Sequence, residues 1–489
     1  MESKFSAATK LVRMKMKNSL TLILLATLFI SCEDFLSGPL LDQNPNEVDD
    51  VSIVSPEALL VGSQVTMYGV MEGYLNRAVS MVMQQMSGLQ TDYYRDYNCE
   101  PIDVNTNGRW TAIYGTGGLI DMKTTQKVAN DQEKFVLLAI SQMWEALIFS
   151  TAADLWGKIP YSQAANADFS QPKFDSQQEV HFAIIDLIDE AIENFEKGQV
   201  FALPAAYDFS FNADINNWIA AAHTLKSRIY LNWAEVNNDY YQLALQEAEL
   251  GISDMSGGGD WKALHSAAIA ERSVWFQFIL SNTDYMGAGK LLVDMLEQDN
   301  DSRLEIYFLN SGNQGIIGVS PGDSVQNASM LNITGHFGMN WSPEFVSWYE
   351  NKFIIAECQY NLGNQNEALT ILNETLAGIE QRWRSLGYAS TSIPRYQNIS
   401  DSDLLEAIMN EKYKALFLNI QTWSDWRRTG YPKFIDSNNN STECGKSSDG
   451  IGVPRKLLYP EKEKSSNPNC PTNDSIYDRC LLYTSDAAD

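Results

Sequence analysis

Apolar residues recur at helical spacing over most of the chain. From Asp131 to Ala153 the stripe runs through Phe135, Leu138, Ala139, Met143, Ala146 and Leu147; from Gln178 to Glu196 it runs through Ile184, Ile185, Ile188, Ala191, Ile192 and Phe195. Side chains three and four apart share one face of a helix, so both segments are predicted helices. Two helical hairpins follow. Asn216 to Val236 carries Trp218, Ala221, Ala222, Leu225, Ile229 and Trp233, breaks at Asn237-Asn238, and returns through Tyr240 to Ile252. Pro343 to Asn361 carries Phe345, Trp348, Phe353, Ala356 and Tyr360, turns at Leu362-Gly363-Asn364, and returns through Glu367 to Ile379. Both return helices end in Gly-Ile, at 251–252 and 378–379. A large early aromatic, a Leu-Gly turn and small alanines where helices cross resemble tetratricopeptide units, although the period of about 34 residues is not kept between them. The predicted fold class is therefore mainly α, tetratricopeptide-like hairpins joined by long irregular loops.

Those loops run from Gln84 to Gly118, Ser253 to Ala288 and Leu309 to Trp341. Connections of this length inside a compact domain ordinarily serve a function. They are rich in aromatics, among them Tyr93, Tyr94, Tyr97, Trp110, Tyr114, Trp261, Trp275, Phe276, Phe278, Tyr285, Phe337 and Trp341. A ring face packs well on the C–H groups of a pyranose while acid and amide side chains bond its hydroxyls. The candidate ligand-binding residues are Tyr93, Tyr94, Trp275 and Trp341, with Asp92 and Arg95 beside the tyrosine pair. The competing reading of each ring is that it fills the core beneath its loop.

Charge narrows the choice. The chain has 489 residues and a formal charge of −27, which disfavours nucleic acid and anionic membrane surfaces as partners. The amino-terminus changes the picture further. Leu20 to Ile30 is an apolar run behind Lys15 and Lys17, too short to span a bilayer as a helix but suited to a secretory signal. It ends at Ser31-Cys32, which resembles a lipobox. The expectation is cleavage before Cys32, lipid attachment at Cys32, and a charge of −31 once residues 1–31 are removed. Glu33 and Asp34 resemble the signal that sends lipoproteins to the outer face of the outer membrane. Residues 32–56 read as a lipidated tether, 57–479 as a single helical domain and 480–489 as a foreign or artefactual tail.

Catalytic patterns are weak. Gly318-Val319-Ser320-Pro321-Gly322 fits G-x-S-x-G, but no amphipathic helix follows it, so a simple turn is expected. His181, His223, His265 and His336 have no metal-ligand spacing, and the cysteines form no C-x-x-C pair. Cys358 reads as buried; Cys444 and Cys470 lie in loop sequence where a disulfide is permitted in an exported protein. Asp299, Asp301 and Arg303 begin like a calcium loop, yet Leu304 and Asn310 occupy the positions of its Gly and Glu. No cofactor is expected, with a structural calcium from scattered loop carboxylates left open.

Several segments together resemble the SusD/RagB family of nutrient-binding outer-membrane lipoproteins, in its SusD-like branch. They are Ser31 to Leu36 (SCEDFL), Asp154 to Tyr161 (DLWGKIPY), Phe353 to Leu369 (FIIAECQYNLGNQNEAL), Asn410 to Pro432 (NEKYKALFLNIQTWSDWRRTGYP) and Arg455 to Glu461 (RKLLYPE). Trp423, Trp426, Arg427 and Arg428 in the longest of them read as a structural aromatic and cationic knot. The resemblance implies a lipid-anchored protein on the exterior of the outer membrane. It would act as the lid of a SusC-like TonB-dependent channel, capturing oligosaccharide or peptide and catalysing no reaction. It transfers no ligand-binding residue. Two other classes stay in view: a surface glycoside hydrolase, which needs two essential carboxylates in one cleft, and a repeat scaffold that binds only proteins.

Overall fold

A computed structural model describes residues 55–98, 107–115, 117–198, 203–312, 315–323, 327–434, 452–472 and 476–477. The signal segment, Cys32, most of the tether, Cys99, Cys444 and the tail from Cys480 onward lie outside the described residues, so neither lipid attachment nor a Cys444–Cys470 bond is addressed by it.

The amino-terminal layer holds α1 (Pro56–Glu72), α2 (Tyr74–Val82), β1 (Met86–Gly88), α3 (Thr91–Tyr97), α4 (Asn107–Tyr114), α5 (Leu119–Asp131), α6 (Phe135–Trp156) and α7 (Gln177–Lys197). The first hairpin is α8 (Ile215–Asn232) and α9 (Asp239–Glu249); then come β2 (Trp261–Lys262), α10 (Val274–Ser281), β3 (Met286–Ala288), α11 (Lys290–Gln298) and α12 (Arg303–Tyr307). The second hairpin, preceded by β4 (Glu344–Val346), is α13 (Trp348–Asn361) and α14 (Gln365–Ser385), followed by α15 (Asp401–Ala415), α16 (Gln421–Thr429) and α17 (Glu461–Ser466). The described protein is mainly helical, as the periodicity predicts.

Local chemistry sets several helix starts. Ser55 caps α1 with Pro56 at its first position, Ser176 and Glu179 form a reciprocal capping box on α7, and Asp214 accepts from the backbone N–H groups of Asn216 and Asn217 on α8. The second hairpin turns at Gly363, whose φ of 87° suits a residue without Cβ. α6 is apolar enough to cross a membrane by length and composition, yet 94% of its most apolar window is buried inside the protein. It is the central core helix, packed on α5 and α7, while α8, α9, α13 and α14 stack in sequence beside it.

Four expected boundaries differ. The helix expected from Asp131 starts at Phe135, because Glu133 takes a positive φ and separates α5 from α6. The segment Pro343 to Val346 is extended rather than helical: β4 pairs antiparallel with β2 through Trp261 opposite Val346. α14 does not end at the second Gly-Ile pair but continues to Ser385. In the first loop, Thr91–Tyr97 and Asn107–Tyr114 are short helices, a length at which the apolar period is not yet readable.

The Trp423 to Arg428 knot is buried at the junction of both hairpins. Arg428 is bidentate on Glu357 of α13, and the Arg427 guanidinium lies 4.7 Å from the Trp423 ring centroid. Cys358 is fully buried, as expected.

Candidate functional site

A two-stranded ribbon brings the first and second long loops together. β1 and β3 pair antiparallel, Met86 opposite Ala288 and Gly88 opposite Met286, and Leu89 donates its N–H to the Tyr285 carbonyl at 2.8 Å. Gly88 is required by this fold-back: a Cβ there would collide with the Tyr93 carbonyl and reach 2.9 Å from Met81 Sδ. α3 therefore lies directly over the ribbon.

Around that ribbon a cluster forms from four helices. α2 contributes Tyr74 and Arg77 from one face, since residues three apart are neighbours on a helix, and α3 contributes Tyr93 and Asp96 in the same way. Tyr93 packs 5.4 Å from Tyr74, 5.2 Å from Phe278 of α10 and 6.0 Å from Tyr285 between ring centroids. The Arg77 guanidinium stands 4.1 Å from the Phe278 centroid, and that of Arg109, on α4, stands 3.0 Å from the Tyr74 centroid. Such stacking places cations on electron-rich ring faces.

The electrostatics are unusual for so acidic a chain. Burial pushes the Asp96 carboxyl up to about 6, against the pull of Arg109, and Tyr74 Oη donates to it in a short hydrogen bond. Burial likewise lowers Arg109 to about 9, opposed by Asp96 and reinforced by Arg77. Arg77 is lowered by burial too, with Tyr93 opposing the shift. The Arg109 guanidinium thus faces the Asp96 carboxyl, with Arg77 near enough to repel that guanidinium. Nη2 of Arg109 is buried without a hydrogen-bond acceptor, while the Tyr93 hydroxyl lies close enough to Arg77 to serve its guanidinium. A guanidinium short of an acceptor favours a partner bearing hydroxyl or carboxylate oxygens. The rings beside the guanidiniums would pack against its carbon skeleton.

The expected site residues are distributed differently. Tyr93 is at the centre of this cluster. Tyr94, on the other face of α3, is 40% exposed, and Asp92 and Arg95 form a solvent-exposed pair at 3.4 Å beside it. Trp275 corrects the expectation: it is 0% exposed, because α10 turns this face into the main core, so its ring offers no platform. Trp341 is nearly buried as well, packed 4.7 Å from Phe337 in a cluster with His336 and Trp383 rather than with Tyr93. There burial pushes the His336 imidazole down to about 4. Arg77, Arg109, Tyr74 and Asp96 were not anticipated. One sign in the sequence is the density of Tyr and Arg between Tyr93 and Trp110, but the part played by α2 carries no local mark.

The remaining motifs resolve into structure. Ser320 lies in a turn closed by the Asp323 N–H on its carbonyl, and the Asp121 carboxylate accepts from the Gly117 N–H at the entry to α5. Asp301 and Asp299, the calcium-like carboxylates, are engaged by Arg303 and Lys414. Among the described residues no group of three or more His, Cys, Asp or Glu is placed to hold a metal ion.

Comparison with known proteins follows the same direction. The SusD-like family model described as "Starch-binding associating with outer membrane" matches residues 45–460. Among solved structures, a SusD/RagB family protein from Bacteroides thetaiotaomicron is similar with a TM-score of 0.71 and 18% identity, covering 88% of this chain and 98% of its own. A chitin-binding protein is similar with a TM-score of 0.68 and 20% identity over 87% and 96% of the two chains. A SusD homolog from Bacteroides fragilis has a TM-score of 0.71 and 16% identity over 88% and 99%. At these identities the likeness is one of fold. No curated protein matches the chain.

Proposed function

As this chain belongs to the SusD-like family, we propose that it is a surface lipoprotein of the outer membrane that captures oligosaccharide and delivers it to a partner TonB-dependent channel, acting as that channel's lid. Cys32 would carry the lipid. The observation that carries the reading is the cluster of Arg77, Arg109, Tyr74, Tyr93 and Phe278, where guanidiniums stand against aromatic faces. Aromatic faces beside guanidiniums bind hydroxylated rings by stacking and by charge-assisted hydrogen bonds. Its role is to hold, not to cut: the one buried carboxyl in the cluster is engaged by Tyr74. A glycosidase would call for two carboxylates facing each other across a scissile bond. The names of relatives, starch-binding for the family model and chitin-binding for one fold neighbour, support neutral polysaccharides as the first class to try.

The test is calorimetry of the full-length chain against malto-oligosaccharides, chito-oligosaccharides and short peptides, with product analysis of the same samples. A sugar that binds and is recovered intact supports capture. An Arg109→Met variant should then bind at least about tenfold more weakly, as expected for the loss of a charge-assisted donor. Cleavage of the sugar would replace this reading with a glycosidase, and binding of peptides alone would replace its ligand class.

A further inference from the structure

Arginines set deep in this protein commonly hold a carboxylate. Arg228 pairs with Glu350, Arg303 with Asp301, Arg382 with Asp260 and Arg428 with Glu357. A cation drawn out of water needs such a counter-charge, or its lost hydration weakens the fold. Arg77 and Arg109 are arranged differently. Among the described residues neither has a carboxylate at ion-pairing distance: Arg77 has the Tyr93 hydroxyl and the Phe278 ring, and Arg109 has the Tyr74 ring. Asp96 acts on Arg109 through its charge without a hydrogen bond to it, and accepts from Tyr74 Oη instead.

Both guanidiniums are within reach of solvent. Arg77, Arg109, Tyr74, Phe278 and Tyr285 are each half-buried, so the cluster meets the surface. Of the groups whose charge reaches either guanidinium, Asp96 is the one acid among the described residues, and the nearby Asp92 and Arg95 cancel one another. The cluster is therefore a positive spot on a chain whose formal charge is −27. Salt screens the more distant acids beyond about 8 Å at physiological ionic strength, so the local excess decides what binds here.

A neutral sugar stacked on these rings leaves the guanidiniums without a counter-charge. A sugar acid meets both demands, because its pyranose C–H face packs on an aromatic ring while its carboxylate takes a guanidinium in a charge-assisted pair. We propose that the sugar captured at this cluster is acidic, a hexuronate unit whose carboxylate answers Arg109, with Arg77 beside it and the ring on the neighbouring aromatics. This rests on the capture function proposed above and replaces the neutral class that the relatives' names suggest with a charged one.

The test is calorimetry on the full-length chain at neutral pH with tetragalacturonate, a mannuronate tetramer and a hyaluronan tetrasaccharide, beside maltotetraose and chitotetraose. At least one acidic tetramer should bind more than about tenfold tighter than either neutral one, and should weaken as salt is raised from about 0.05 to 0.5 M. Arg109→Met should weaken that acidic sugar by at least about tenfold, the worth of a charge-assisted hydrogen bond. Asp96→Asn should tighten it by about two- to fivefold, since it removes the one local negative charge and still offers Tyr74 an acceptor. A cluster with only a structural role gives no such gain, and this second variant decides the matter if Arg109→Met fails to fold. Neutral tetramers that bind as tightly as the acidic ones would overturn the acidic class and leave the capture function standing. An acidic sugar whose affinity neither variant changes would overturn the assignment to this cluster. Failure of the parent to bind any of the five would overturn both the class and the capture function.

Discussion

Glu72 and His265 are 193 residues apart in the chain, and His265 Nε2 lies 2.8 Å and 2.9 Å from the two carboxylate oxygens of Glu72. The other ring nitrogen lies 3.0 Å from the Glu271 carbonyl, so both nitrogens face acceptors, an arrangement that favours the protonated ring. Burial alone would lower its pKa; Glu72 and the Glu271 carbonyl overcome this and raise it.

That direction makes a prediction about pH. A proton held more tightly in the folded than in the unfolded chain contributes stability fully below the unfolded pKa of about 6.5, and the contribution is lost as pH rises through the folded value. His181 and His336, lowered by burial, contribute with the opposite sign. The readout is therefore the difference in urea-unfolding free energy between the parent and Glu72→Gln at pH 5.5 to 8.5. It should shrink as pH rises. A difference independent of pH would show that the pair does not titrate as a unit.

A second titration belongs to the acid limb. Burial would raise the Glu411 carboxyl, but Lys414 and Arg303, each 2.5 Å away, hold it down to about 2. Its contribution is complete above pH 4.5 and is lost as pH falls from there toward about 2. Glu411→Gln should cost about 3–5 kcal/mol at neutral pH by leaving buried cations short of a partner, and should flatten the acid limb of stability. An acid transition unchanged in the variant would argue against this assignment.

Trp275 and Tyr94 should separate cleanly. Trp275→Ala empties a fully buried site and should cost about 3–5 kcal/mol in chemical denaturation. Tyr94→Ala should stay within about 0.5 kcal/mol of the parent, being largely exposed, and should weaken sugar binding if Tyr94 extends the cluster outward. A stable Trp275→Ala protein with impaired binding would restore that ring to the ligand surface.

Two mid-helix glycines should respond in opposite ways to alanine. Gly69→Ala places its methyl in open space and should gain about 0.5–1 kcal/mol. At Gly378 the same methyl would collide with the Trp348 ring and come 2.9 Å from Met255 Sδ, so Gly378→Ala should lose about 1–3 kcal/mol despite its better helix propensity. Thermal unfolding of the two variants side by side decides it; a loss at Gly69 or a gain at Gly378 would contradict the packing described.

The Gly-Ile pairs show how a sequence signal can be right in place and wrong in meaning. They were expected to end the return helices, and 251–252 does follow α9. At 378 the glycine instead lets α14 cross close to Trp348, and at 251 a Cβ would collide with Thr224 Oγ1 and approach Asn351 Oδ1 to 2.7 Å. Close approach between helices is a relation between segments, so it leaves no period along either one.

The same distinction runs through the whole protein. Helix type and the two hairpins are legible in the residues, because a stripe that must be buried repeats every turn and caps act within a few positions, whereas the central place of Phe135–Trp156 in the core is seen only in the fold. The family likeness was legible for a related reason: the Asn410–Pro432 run builds a buried knot whose partners constrain each residue. Which aromatics meet a ligand was decided only in three dimensions. Tyr93 and Phe278 are 185 residues apart in sequence yet 5.2 Å apart in space, brought together by a ribbon of three residues per strand. So short a ribbon has no pattern of its own, and the burial that hides Trp275 while leaving Tyr94 in water arises from packing between segments.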